Sequence, residues 1–107
     1  MSSHENRSQG TMSRRGRDLI AHLFDVDGGR VESLSWPLGN RVTVEADANR
    51  RFRFDHRRSH RTLTAFAVTD DTCVLRLRTP VGREKFYGIA NADVAPQSIP
   101  TDWIRTD

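Results

Sequence analysis

From residue 18 onward, apolar and polar side chains alternate in short runs separated by turn residues, the spacing of an antiparallel meander rather than of βαβ units. In Arg51 to Asp55, Phe52 and Phe54 share one face of an extended chain while Arg51, Arg53 and Asp55 take the other. Thr62 to Thr69, TLTAFAVT, is β-branched and aromatic enough for a central strand. Thr72 to Thr79 sets Cys73, Leu75 and Leu77 against Val74, Arg76 and Arg78, one face apolar and the other largely basic, and Lys85 to Ala90 reads as a last strand. Arg41 to Ala46, RVTVEA, also has period two, with Val42, Val44 and Ala46 facing one way and Thr43 and Glu45 the other. Turn residues separate these runs at Asp27-Gly28-Gly29, Pro37-Leu38-Gly39-Asn40, Asp47-Ala48-Asn49, Arg57 to His60, Asp70-Asp71 and Pro80-Val81-Gly82.

The flanks differ from this middle. Asp18 to Val26, DLIAHLFDV, fits either a strand or two turns of amphipathic helix capped by Asp18, with Leu19, Ile20, Leu23 and Phe24 as its buried stripe. Residues 1–17 hold no aliphatic side chain beyond Met1 and Met12 and are expected to form a disordered basic arm. Residues 93–107 have two prolines and no alternation, and they read as a tail. Trp103 and Ile104 either pack back onto the body, the expected outcome, or form a small partner-binding patch. Residues 18–92 are then a single β domain, within the usual size for one core.

Composition narrows the function classes. No run approaches the roughly 18 apolar residues of a membrane span, and the arm lacks the apolar core of a secretory signal, so a cytoplasmic, membrane-free protein is expected. One cysteine, Cys73, excludes an internal disulfide framework and fits a reducing compartment. Sixteen arginines and one lysine stand against ten aspartates and four glutamates, a net charge of +3. Arginine is the cation whose planar fork matches phosphate and carboxylate.

One stretch suggests chemistry. HLFDVDGG, His22 to Gly29, resembles the Asp-x-Asp-Gly nucleophile motif of the haloacid dehalogenase superfamily of phosphatases, which implies Asp25 as nucleophile and Asp27 as acid and base at a strand tip in a doubly wound sheet. The resemblance covers eight residues. Beyond it, the candidate carboxylate pair Asp70-Asp71 precedes the only lysine, Lys85, the reverse of the family's order, and hairpin-patterned residues leave no room for crossover helices. Asp-Gly between apolar runs is also a strong hairpin signal, and a turn is the expected role. An EF-hand loop starting there would place Gly29 and Trp36 at ligand positions, which excludes it.

His56 and His60 are four apart, but Arg57 occupies the position of a zinc peptidase's glutamate, and adjacent Arg57 and Arg58 repel a divalent cation. His22 reads as a half-buried side chain, and Cys73 as a small hydrophobe. No metal, cofactor or catalytic residue is expected, and the chain does not read as an enzyme.

Charge clustering is the remaining lead. Residues 41–61 carry seven arginines, Arg41, Arg50, Arg51, Arg53, Arg57, Arg58 and Arg61, against Glu45, Asp47 and Asp55. With Arg51 and Arg53 on one strand's solvent face and Arg76 and Arg78 on another's, the sheet would present a basic stripe to a phosphate backbone, with Arg14, Arg15 and Arg17 of the arm within reach. The same arginines could instead pair with aspartates across strands. Phe52 and Phe54 alternate onto the opposite face and leave only Tyr87 as a stacker, which favours backbone contacts over base reading.

The expected protein is a mainly β antiparallel meander, a barrel or sandwich of five to seven strands with room for one N-terminal helix. Its expected function is binding RNA or DNA phosphates through Arg50, Arg51, Arg53, Arg57, Arg58, Arg61, Arg76 and Arg78. The alternative is a protein-interaction module, of the kind found among small phage or mobile-element proteins, docking on an acidic surface through an edge strand and Trp103 and Ile104. Phosphoryl transfer on Asp25 and Asp27 is a weak third.

Overall fold

The structure, a computed structural model, describes residues 16–45, 50–69, 71–90 and 99–106. The arm up to residue 15, the Asp47-Ala48-Asn49 turn, Asp70 and residues 91–98 lie outside them. Six strands, all antiparallel, make one open sheet: β1 (Glu32–Leu34), β2 (Arg50–His56), β3 (Thr62–Ala67), β4 (Thr72–Arg78), β5 (Glu84–Ala90) and β6 (Trp103–Arg105), in the order β1-β5-β4-β3-β2-β6. Strands β2 to β5 are the meander that the alternation predicts. The sheet does not close into a barrel, because β1 and β6 pair only inward, with β5 and β2.

Helix α1, residues 16–24, lies over one face of the sheet. Its Ile20, Leu23 and Phe24 join Phe52, Phe54, Leu63, Leu75, Cys73, Tyr87 and Ile89 in the main core, as the helical reading of the stripe requires, while His22 is exposed. Residues 16 and 17 already belong to this helix, so the folded body starts before residue 18, and Asp18 lies inside the helix rather than capping it.

The helix ends in a Schellman cap. Val26 N–H donates to the Ala21 carbonyl at 3.0 Å and Asp25 N–H to the His22 carbonyl at 3.3 Å, with Asp25 in the left-handed region at φ 53°. Asp27 then accepts from Gly29 N–H at 3.1 Å and caps a short 3-10 turn, Gly28–Arg30, that leads into β1. Asp27-Gly28 therefore turns the chain from helix to strand and is not a hairpin: Asp27 has φ −63°, and Gly82 is the one glycine with positive φ among the described residues. Asp25 caps a helix C-terminus, far from the strand-tip geometry of a phosphatase nucleophile. Asp25→Gly is expected to raise stability by about 1 kcal/mol in urea unfolding, since glycine relieves the left-handed strain and removes a carboxylate from the negative end of a helix.

Two more segments depart from the alternation pattern. Pro37 to Glu45 is not turn plus strand: Trp36–Glu45 is helix α2, which lies on the opposite face of the sheet from α1. The Ser35 carbonyl accepts from Gly39 N–H at 2.9 Å to open it, and Pro37 falls in the first turn, where its missing N–H costs nothing. The strand reading is inverted as well. Thr43 is buried, its hydroxyl donating to the Gly39 carbonyl at 2.9 Å, and Val44 points to solvent. In the expected tail, Trp103–Arg105 forms β6 against β2, with Trp103 opposite His56.

Candidate nucleic-acid interface

Register decides which charges meet. Because Thr62 faces Arg78 across β3 and β4, the β2–β3 turn (residues 57–61) and the β4–β5 turn (residues 79–83) leave the sheet at the same end. Both turns are built locally. His60, at φ 58°, closes the first through its N–H to the His56 carbonyl at 3.0 Å, and His56 Nδ1 accepts from the Ser59 N–H at 3.0 Å. In the second, Gly82 N–H donates to the Thr79 carbonyl at 3.0 Å, with Gly82 at φ 87° in the bulge position where glycine is favoured.

This end of the sheet gathers Arg57, Arg58, Arg61, Arg78, Arg83 and Lys85 against Asp55, Glu84 and Asp102. The carboxylates are spoken for. Glu84 accepts two bonds from Arg78, at 2.9 and 2.6 Å, and one from the Trp36 indole at 3.1 Å; Arg76 lies 3.9 Å away. Burial acts to raise the Glu84 carboxyl, but the bonds from Arg78 and Trp36 and the charges of Arg78 and Arg76 outweigh it and hold the pKa below the ordinary range. Asp55 takes Arg53 at 2.9 Å, and Asp102 lies 3.9 Å from Arg58. Arg57, Arg61, Arg83 and Lys85 have no carboxylate partner among the described residues.

The expected stripe is thus only partly assembled. Arg53, Thr64 and Arg76 lie in one cross-strand row and Asp55, Thr62, Arg78 and Glu84 in the next, so Arg53, Arg76 and Arg78 do share a face. On that face they are tied to Asp55 and Glu84 rather than facing solvent as a bare cationic row. Arg76 also covers the Phe66 ring, its guanidinium 5.2 Å from the centroid. Arg50 and Arg51 sit at the far end of β2, beside a bulge, about 20 Å from Arg57 by strand rise. The eight arginines fall into separate groups.

Trp103 is 7% exposed, its ring edge-on to His56 at 4.9 Å with the Arg61 guanidinium 5.5 Å from its centroid. It anchors the β2–β3 turn, which the Asp102 carbonyl also holds through Arg57 N–H at 2.8 Å; Ile104 stays exposed. Cys73 is buried, and desolvation pushes its thiol up to about 11 against the opposing charge of Arg51. Among the described residues no group of three metal-binding side chains occurs, and no helix is long and apolar enough to cross a membrane.

Sequence reasoning passed over Arg83 and Lys85, which sit in and after a turn it identified. The available signal was the meander itself: antiparallel strands in sequence order put alternate turns at the same end, so residues 57–61 and 79–85 must be neighbours. No family model, curated protein or solved structure matches the chain.

Proposed function

We propose that the protein is a nucleic-acid-binding module, cytoplasmic and without enzymatic activity, that holds the phosphate backbone of RNA or DNA at the end of the sheet where the β2–β3 and β4–β5 turns meet. The observation that carries the proposal is the convergence of Arg57, Arg61, Arg83 and Lys85, on two adjacent turns and the start of β5, with no carboxylate to neutralise them among the described residues. Arg58, held loosely at 3.9 Å from Asp102, and the exposed part of Arg78 extend the patch. Arg53 and Arg76 support the sheet instead, and Arg50 and Arg51 are too distant to share one short segment of backbone with the turns. The buried, poorly ionised Cys73 fits a reducing compartment.

With about four phosphates contacted, binding should weaken about fiftyfold for single-stranded and about 150-fold for double-stranded nucleic acid between 50 and 200 mM salt. Arg57→Ala with Arg58→Ala should lower the slope of log K against log salt by about two and weaken all sequences alike. Fluorescence anisotropy at the two salt concentrations checks both; no binding at low salt overturns the proposal. The alternative of docking on an acidic protein surface would rely on Ile104 and the three-residue edges β1 and β6, since Trp103 is committed to the core.

A further inference from the structure

Beside the two turns, on the α1 side of the sheet, is a cavity of about 230 Å³ lined by Gly16, Arg61, Leu77, Thr79, Arg83, Lys85 and Tyr87. Its inner lining is apolar and well packed: Leu77 and Tyr87 are buried, and α1 approaches so closely that a Cβ on Gly16 would overlap the Tyr87 hydroxyl. Three other lining residues are cationic. Lys85 stands opposite Leu77 in the cross-strand register, on the same face of the sheet, and is exposed where it lines the cavity. The Arg83 backbone is fixed by its N–H to the Thr79 hydroxyl at 3.1 Å and by its carbonyl, which accepts from Thr79 N–H at 2.9 Å, while its side chain remains unpaired among the described residues. Arg61 is held by Ser59, its Nε donating to the hydroxyl at 3.0 Å, and by the Trp103 ring. No carboxylate among the described residues lines the cavity.

We propose that this cavity receives a terminal phosphate monoester at the end of a nucleic-acid strand, with Arg83 and Lys85 as its principal ligands and Arg61 at its rim. The inference rests on the phosphate-binding function proposed above and makes it specific. Charge favours a chain end over an internal linkage: a monoester carries about −1.5 to −2 at neutral pH, whereas each internal phosphate carries one negative charge. Three cations, with no counter-carboxylate among the described lining residues, suit the larger charge. Leu77 and Tyr87, both buried, give the cavity an apolar backing against which the end of a strand can abut. Arg57 and Arg58 belong to the neighbouring turn, at the same end of the sheet. Guanidinium and ammonium donors on a phosphate dianion make the charge-assisted bonds that are the strongest of their kind.

The test is competition anisotropy on the full chain, with one short single-stranded oligonucleotide carrying a 5′-phosphate, a 3′-phosphate or hydroxyls at both ends. One of the phosphorylated forms is expected to compete about tenfold better than the hydroxyl form. Arg83→Ala with Lys85→Ala should abolish that preference, and an unchanged urea midpoint would show the variant folded. Amide shifts of Arg83, Lys85 and Tyr87 during titration with inorganic phosphate report on the cavity directly, and they too should vanish in the variant. Equal competition by all three oligonucleotides overturns this inference while leaving backbone binding intact. Failure of every oligonucleotide to bind at low salt overturns the backbone reading and this one with it. A phosphoserine peptide that outcompetes the phosphorylated oligonucleotide overturns it in favour of a protein ligand.

Discussion

Gly39→Ala is expected to destabilise the protein by at least about 2 kcal/mol, although the same change in an exposed helix interior would stabilise it by about 1 kcal/mol. The sign reverses because α2 rests directly on β5. A Cβ at position 39 would overlap the Phe86 Cβ and Cγ and lie 2.6 Å from Cδ2. Those are atoms at the root of the side chain, held by a strand paired on both sides, so the ring cannot move away without shifting β5. Overpacking of that kind costs about 3 kcal/mol, which outweighs the propensity gain. Phe86→Ala provides the control: in that background, Gly39→Ala should turn neutral or stabilising. Urea midpoints for the four proteins of this double-mutant cycle measure the coupling, and a destabilisation that persisted without the ring would rule out the steric account.

Trp103→Ala should cost about 3 to 5 kcal/mol, the range for truncating a large buried aromatic. The indole holds the last strand to β2 and packs against both His56 and Arg61 of the β2–β3 turn. Removing it should speed hydrogen exchange first at residues 103–105 and at Arg57, whose N–H is bonded to the Asp102 carbonyl. Emission should also move to longer wavelength, because the remaining Trp36 is 52% exposed. Ile104→Ala, a change at an exposed site, should shift the midpoint little. Loss of nucleic-acid binding in Trp103→Ala alone would then reflect a loosened turn rather than a lost contact.

The four central strands were legible because alternation over six or seven residues, bounded by real turn residues, admits one register with the apolar side inward. Phe52, Phe54, Cys73, Leu75 and Leu77 are all buried as that pattern requires. The segment around residue 41 misled for a physical reason. Val42, Thr43 and Val44 are poor helix formers, and period two over six residues is too short a run to exclude a helix. What makes α2 helical is tertiary, the fit of Gly39 against Phe86 and the Trp36 bond to Glu84, and neither is visible in local sequence. Strands β1 and β6 escaped notice because three residues carry no period. At the candidate site, the richness in arginine was legible, and its partition was not. Whether Arg78 meets solvent or Glu84 depends on a cross-strand register, and whether Arg57 and Arg83 are neighbours depends on the order of strands.

The sheet is local at its centre and distant at its edges. Strands β2 to β5 pair with their sequence neighbours, whereas Glu32 must find Gly88 and Phe54 must find Arg105, each more than fifty positions away. Loop closure makes such pairings the slow ones. During synthesis, β2 stands with one side unpaired until residues 103–105 have left the ribosome, and the Trp103 seat beside His56 stays unfilled as long. A chain released early would display that open edge to other copies of itself, so the final strand is also what seals a nascent sheet against aggregation.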